Sequence, residues 1–421
     1  MVEEQRKEFR RYWIVASFMF AVAIYGMYLC DGQVDELLAG LTRIITSPST
    51  LITDYVLLGG PSAAFVNAGM LGLSALGVCA VAGVGLTGPA IAAVFTVCGF
   101  GFFGKNLFNV WPIIFGVALH SRFKGLPFKD HLLIALFGTS LAPLVSELAF
   151  GGHLSPMGNG PFSLVMAVLG GLAVGFFLPP LAKHFLVVHQ GYNLYNVGFS
   201  CGFLGLVALG TLRALGIPLE GGFYWFHGGH DLFFVPLLLF FSGMIITGFI
   251  ICPDFRRGLA ELYSSSGRLV SDFVQYAGFG PSLVNMGTLG LVGLLYLKFT
   301  GGDINGPTIG GLMTLSGFGG FGKHLRNVLP VALGTWFAGA ISVWPVNNPG
   351  ATLAVLFSGC LAPVGGAFGP AAGFAAGFLH LIVVMTVGGI HGGLSLYNNG
   401  LSGGIVAAML LPVLESLREE D

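Results

Sequence analysis

GPAIAAVFTVCGFGFFGKNLFNVWP (residues 88–112) and GPTIGGLMTLSGFGGFGKHLRNVLP (residues 306–330) are one stretch written twice. They align without a gap at an offset of 218, and 14 of 25 positions are identical. Chance would give roughly one in ten for so biased a composition, so an internal repeat organises the chain. Other stretches keep the same order. Asp54-Tyr55-Val56 answers Asp272-Phe273-Val274, and Leu141-Ala142-Pro143 answers Leu361-Ala362-Pro363. HQGYNLYNVGFSCG (189–202) answers HGGLSLYNNGLSGG (391–404), with 8 of 14 identical at an offset of 202. The whole chain reads as one duplicated unit.

Composition says where that unit folds. Of 421 residues 54% are hydrophobic and only 9% are charged, whereas a soluble domain carries about a quarter charged residues. The 68 glycines fit membrane helices, whose backbones approach closely through small residues. A net charge of −1 argues against nucleic acid as a partner. The six cysteines are scattered, without metal-site or paired spacing. The charged start followed by an apolar run at 12–29 resembles a signal peptide, but no small-residue cleavage site follows. It reads as a retained helix.

The predicted fold is an all-α integral membrane protein of two inverted repeats, about seven segments each, with broken or re-entrant helices. Repeat 1 covers 13–212 and repeat 2 covers 232–414, joined by an extracytoplasmic linker at 213–231, with cytoplasmic tails at 1–12 and 415–421. Segments are expected near 13–29, 63–83, 86–103, 107–121, 131–150, 161–182 and 193–212. Their counterparts are expected near 232–252, 283–297, 306–322, 327–343, 352–365, 367–387 and 393–414. Several are shorter than the ~20 residues that span a bilayer. Seven is odd, so the second copy enters from the opposite side. Lysine and arginine agree with this. Arg122, Lys124 and Lys129 fill a loop whose counterpart, 344–348, has none. Arg256, Arg257 and Arg268 fill one whose counterpart, 30–49, has only Arg43. This count puts 14 of the 18 Lys and Arg inside, all but Arg43, Lys105, Arg213 and Lys298. It cannot separate spanning from re-entrant forms of the third and fourth segments.

Four sets of residues are candidates for a solute path. The first is the glycine turn Gly99, Gly101, Gly104 with Lys105, and its twin Gly317, Gly319, Gly322 with Lys323. Consecutive N–H groups in such a turn can hold an anion and a lysine adds charge, while close helix packing explains the glycines equally well. The second is His189, Tyr195, Asn196 and Ser200 with His391, Tyr397, Asn398 and Ser402. Polar groups there either bond across helices or line a wet path. The third is the amide set Asn67, Asn285, Asn109 and Asn327, which offers donors and acceptors to a solute or to neighbouring helices. The fourth is Glu147, an acid within an apolar segment and a candidate for coupling, whose twin is Ala367. Asp54 and Asp272 read as helix-start residues near the interface. His227, His230 and Asp231 form only a weak metal pattern, and no metal or cofactor is expected.

In architecture alone, the seven-plus-seven count resembles inverted-repeat transporters of nucleobases and sulfate-like anions, and the paired motifs resemble the duplicated logic of urea channels. No signature residues of either transfer. With GFGxFGKxLxNVxP and LYNxGxSxG each present twice, the chain is similar to a family of duplicated bacterial multi-pass membrane proteins of unassigned function. That resemblance implies a bacterial inner membrane. The function expected is a transporter or facilitator of a small polar or anionic solute, its path at the repeat interface. A passive channel for a small neutral solute is the alternative. An enzyme would need a nucleophile–base set or a metal cluster, and the sequence spaces neither. A non-transporting membrane subunit should carry a soluble appendage, and no long polar stretch is present. The bilayer and a small molecule or ion are the expected partners, and self-assembly into a homo-oligomer is compatible with the sequence.

Overall fold

A computed structural model describes residues 2–152, 154, 160–217, 219, 222–252 and 254–419. Parts of the expected tails and linker (Met1, 218, 220–221 and 420–421) lie outside the described residues.

The first half contains α1 (Val2–Cys30), α2 (Val34–Thr46), β1 (Ile52–Thr53), α3 (Tyr55–Gly59), α4 (Pro61–Val81), α5 (Gly88–Phe100), α6 (Trp111–Phe123), α7 (Leu132–Gly138), α8 (Ala142–Phe150), α9 (Pro161–Val188) and α10 (Asn196–Ala214). A linker strand, β2 (Phe223–Tyr224), follows. The second half repeats the helices in order: α11 (His230–Ile251), α12 (Phe255–Ser264), α13 (Phe273–Tyr276), α14 (Phe279–Thr300), α15 (Gly306–Gly317), α16 (Leu325–Ile341), α17 (Pro349–Phe357), α18 (Ala362–Phe368), α19 (Pro370–Val387) and α20 (Asn398–Glu419). Each helix of the first half has a twin ten labels later. The two-residue strands pair in parallel and form the sheet.

Ten helices among the described residues are long and apolar enough to cross a membrane, counting α7–α8 and α17–α18 as one each, and two shorter apolar ones, α5 and α16, join them. With α6 and α15 this makes seven segments per half, as expected. Residues 2–12 continue α1 as helix, and α20 runs on to Glu419, because neither 2–12 nor 413–419 holds a glycine or proline.

α5 and α15 form the centre. Every residue of both is buried, so each is apolar all round, as an interior helix must be. At about 1.5 Å per residue each is only ~20 Å long, too short to cross a ~30 Å hydrocarbon core. They pack on each other in antiparallel fashion. Gly88 lies against the Gly320 carbonyl, Gly99 against that of Gly310, and Gly306 against that of Phe102. The contact runs in reverse along the two copies of one sequence. Their pseudo-two-fold therefore lies across the helix axes, which is the inverted arrangement. α1 and α11 obey the same rule: Tyr25 donates to the Leu232 carbonyl at 2.7 Å and Phe18 stacks edge-on against Phe240.

The geometry also decides what charge counting could not. The α5–α6 pair begins beside Glu8, whose carboxylate accepts from Leu86 N–H. It ends at 127–129, next to Val81 and Ala82 at the close of α4. Its tip stays inside: Asn106 is buried and donates to the Ile44 carbonyl at 3.0 Å. The pair is thus a re-entrant hairpin that starts and ends on one face.

Candidate functional site

The breaks that follow α5 and α15 are built by side-chain amides. Asn67 Nδ2 donates to the carbonyls of Gly101 (2.6 Å) and Lys105 (2.9 Å). Asn285 does the same for Gly319 and Lys323, both at 2.7 Å. Asn109 holds the Gly104 carbonyl and Ser146, and Asn327 holds the carbonyls of Gly322 and Ser266. Gly104 and Gly322 turn the chain at φ +80° and +108°, which only glycine reaches without strain. The Nδ2 groups of all four asparagines are engaged at the breaks, while the Oδ1 atoms of Asn67 and Asn285 are buried with no hydrogen-bond partner among the described residues. The four shape the breaks and do not line the central cavity.

These breaks aim the lysines. Lys105 and Lys323 are both completely buried, so the charge count above, which placed Lys323 inside, is corrected. Each ammonium reaches into the other half. Lys105 Nζ donates to Tyr397 Oη at 2.8 Å, and Lys323 Nζ donates to Tyr195 Oη at 2.6 Å. Each also sits over two aromatic rings, Phe100 and Tyr397 for Lys105, Tyr195 and Phe318 for Lys323. Among the described residues no Asp or Glu forms an ion pair with either.

The tyrosines are placed by the second motif. At the end of α9, His189 bonds Asn196 Oδ1 (2.9 Å), and Asn196 Nδ2 donates to the Ala182 carbonyl. His391, Asn398 and Val384 repeat this in the second half. The loops are then clamped across the repeats. Leu194 N–H donates to the Cys360 carbonyl and Leu396 N–H to that of Ser140. Both acceptors come from the 3-10 turns that interrupt α7–α8 and α17–α18, where the helical ladder leaves carbonyls free. Ser200 bonds its own helix at Asn196 O. Ser402 instead meets His380, which also bonds Asn399.

A cavity of about 160 Å³ sits where these parts meet. Its centre is lined by twins: Thr96 and Thr314, Phe100 and Phe318, Tyr195 and Tyr397. Phe137 and Phe357 close its sides, and the first turns of α10 and α20 enter it through Gly198 and Gly400, which touch each other. α10 has no side-chain cap at its first turn, and in α20 the Gly400 carbonyl accepts from Asn193 of the other half. Away from the centre the lining is one-sided. Leu133, Leu186, Leu269, Val270 and Phe321 contribute, while their twins Leu353, Gly388, Leu51, Ile52 and Phe103 do not. Arg268, exposed and bonded to the Gln190 carbonyl, stands next to Leu269 and Val270 in this part of the lining. On the far side β2 pairs with β1 over Ile52 and Thr53, and Thr50 bonds the Gly222 carbonyl. Nothing equivalent covers Val270, which is 80% exposed.

Of the sequence candidates, only Tyr195, Tyr397 and Asn196 line the cavity, and the two lysines stand directly behind the tyrosines. The glycines of the turns, the two histidines, Asn398, both serines and Glu147 do not line it. Asp54 and Asp272 do start helices, and Asp54 is fully buried. It accepts from Val56, Phe226 and, across the repeats, from Gly306 at the head of α15. Asp272 accepts from Gly88 at the head of α5. Each half therefore caps the central half-helix of the other, satisfying N–H groups that a buried helix end leaves open. His227 bonds Asp303, as does Trp225, and among the described residues no group of three or more ligating side chains converges.

Thr96, Phe100 and their twins were missed, although they are identical positions in the duplicated stretch. His380 was missed because it has no twin, the aligned residue being Leu178.

The duplicated regions coincide with a known family. Residues 33–214 and 251–416 match the family described as "Protein of unknown function (DUF1576)". The chain belongs to this family. The two matched regions leave out nearly all of α1 and α11, which are twins, and take in α2 to α10 and α12 to α20. No curated protein and no solved structure matches the chain.

Proposed function

We propose that this protein is a carrier that moves a small polar or anionic solute across a bacterial inner membrane by exposing one central site alternately to the two sides. The observation that supports it most is the shape of the cavity. Its centre is lined by twinned residues, yet its lining continues through Leu186 and Leu269 to the exposed Val270, while their twins Gly388, Leu51 and Ile52 lie outside it and β2 pairs over Ile52. Because the halves are inverted copies, exchanging their conformations would shut the first route and open the second, as inverted-repeat transporters do. A passive channel would be expected to connect both sides at once. On this reading the Lys- and Arg-rich side is cytoplasmic and both termini lie there.

The test is cysteine accessibility in proteoliposomes. Native cysteines are buried except the half-buried Cys252, so Cys252→Ser supplies the background. Val270→Cys is expected to react with an impermeant maleimide from the charge-rich side at rest. Leu353→Cys, at the buried twin of the lining residue Leu133, is expected to react from the other side only during turnover. Simultaneous reaction of both without turnover would overturn the carrier in favour of a channel.

A further inference from the structure

We infer that the central cavity takes a small organic monocarboxylate with an apolar body, an inference that rests on the carrier reading and names its substrate class. Charge is the first argument. Lys105 and Lys323 are wholly buried with no carboxylate among their partners. The first turns of α10 and α20 add the positive end of a helix dipole each, worth about half a charge apiece. No Asp or Glu lines the cavity. An uncompensated buried charge is costly, and the group missing from this arrangement is an anion.

The number of charges follows from where the positive groups converge. Gly198 and Gly400 touch, so the two helix ends meet at one locus, not at two separated ones. The tyrosines carry the lysines' charge to that locus. Each hydroxyl oxygen accepts from an ammonium, which leaves its own O–H to donate into the cavity. A carboxylate has two oxygens for two such donors, and charge-assisted O–H···O⁻ bonds are the strong kind.

The body of the solute follows from the rest of the lining. Phe100, Phe137, Phe318 and Phe357 face it, and the hydroxyls of Thr96 and Thr314 are turned elsewhere or buried. Chloride or sulfate would have to shed water against phenyl rings. A cavity of about 160 Å³ matches a six-membered ring, since cavities of ~150 Å³ lined by apolar side chains bind benzene.

The experiment is calorimetry on the purified full chain in detergent with propanoate, pentanoate and benzoate, each beside its primary amide, and with excess chloride as competitor. At least one acid is expected to bind about tenfold or more tighter than its amide, the size of one charged hydrogen bond lost. Chloride should not displace it, and Tyr195→Phe or Tyr397→Phe should weaken the acid about tenfold and its amide by less. Equal binding of acid and amide, displacement by chloride, or no binding by any of the three acids would overturn the inference. Uptake by proteoliposomes is a separate readout. Binding without uptake removes the carrier and keeps the site, whereas uptake of a neutral solute without acid binding removes the site and keeps the carrier.

Discussion

Lys323→Met is expected to yield a protein that is more stable and inactive. The ammonium is buried among aromatic rings with one tyrosine hydroxyl as its hydrogen-bond partner among the described residues. Taking a charge into such a place costs several kcal/mol, and well-packed apolar replacements of buried charges are often more stable by about 1–4 kcal/mol. Methionine nearly matches the lysine stem in length and adapts to irregular space. The melting temperature in detergent should therefore rise, and Lys105→Met should behave alike because its surroundings are the same by symmetry. Solute uptake should fall by at least about tenfold in each, since the tyrosine hydroxyl that meets the solute loses the ammonium behind it. A variant that melts lower and still transports would show that the lysines serve packing and not the solute. Such a gain of stability on loss of activity is the signature of a strained functional site.

Asp54→Ala should have the largest effect on folding. One buried carboxylate satisfies N–H groups from three separate segments: Val56 at 2.9 Å, Phe226 at 3.0 Å and Gly306 at 3.3 Å. Alanine leaves all three donors buried and unpaired, and the head of α15 without its acidic cap. Hydrogen bonds to a charged acceptor are worth about 1.5–3 kcal/mol each and are not additive, so a loss on the order of 3–5 kcal/mol is expected. Asp54→Asn keeps one acceptor oxygen and should lose less. Asp272→Ala should also lose less, because Asp272 accepts from only Gly88 and Gln275 and is partly exposed. Denaturant titration of the detergent-solubilised protein ranks the three. A change within about 0.5 kcal/mol for Asp54→Ala, the range of a neutral surface change, would show that the two halves do not depend on each other's caps.

The same two examples show what the sequence could reveal. The duplication, the seven segments per half and the inverted order were legible because hydropathy, repeat offset and Lys/Arg asymmetry each act locally. Lys105 and Tyr397 were both named as candidates for the same reason: each stands in a motif written twice. That they touch was not legible, since 292 residues separate them and the contact exists only once the halves interlock. The asparagines were read as potential solute ligands, yet an amide that suits a solute equally suits a free carbonyl at a broken helix, and composition does not distinguish the two. The phenylalanines of the cavity carry no sequence signal, because a ring facing lipid and a ring facing a solute look identical along the chain. His380 carries no signal at all: it is unrepeated and sits in an ordinary apolar helix, and only its bonds to Asn399 and Ser402 bring it near the site.

Everything proposed for the cavity depends on the halves being inverted in the bilayer. The most direct measurement is the sidedness of two equivalent, exposed loop positions. In the Cys252→Ser background, Lys124→Cys and Asn347→Cys are labelled with an impermeant maleimide in intact and in opened vesicles. Both positions are exposed. The inverted fold predicts that they react from opposite sides of the membrane. Reaction of both from the same side would contradict it.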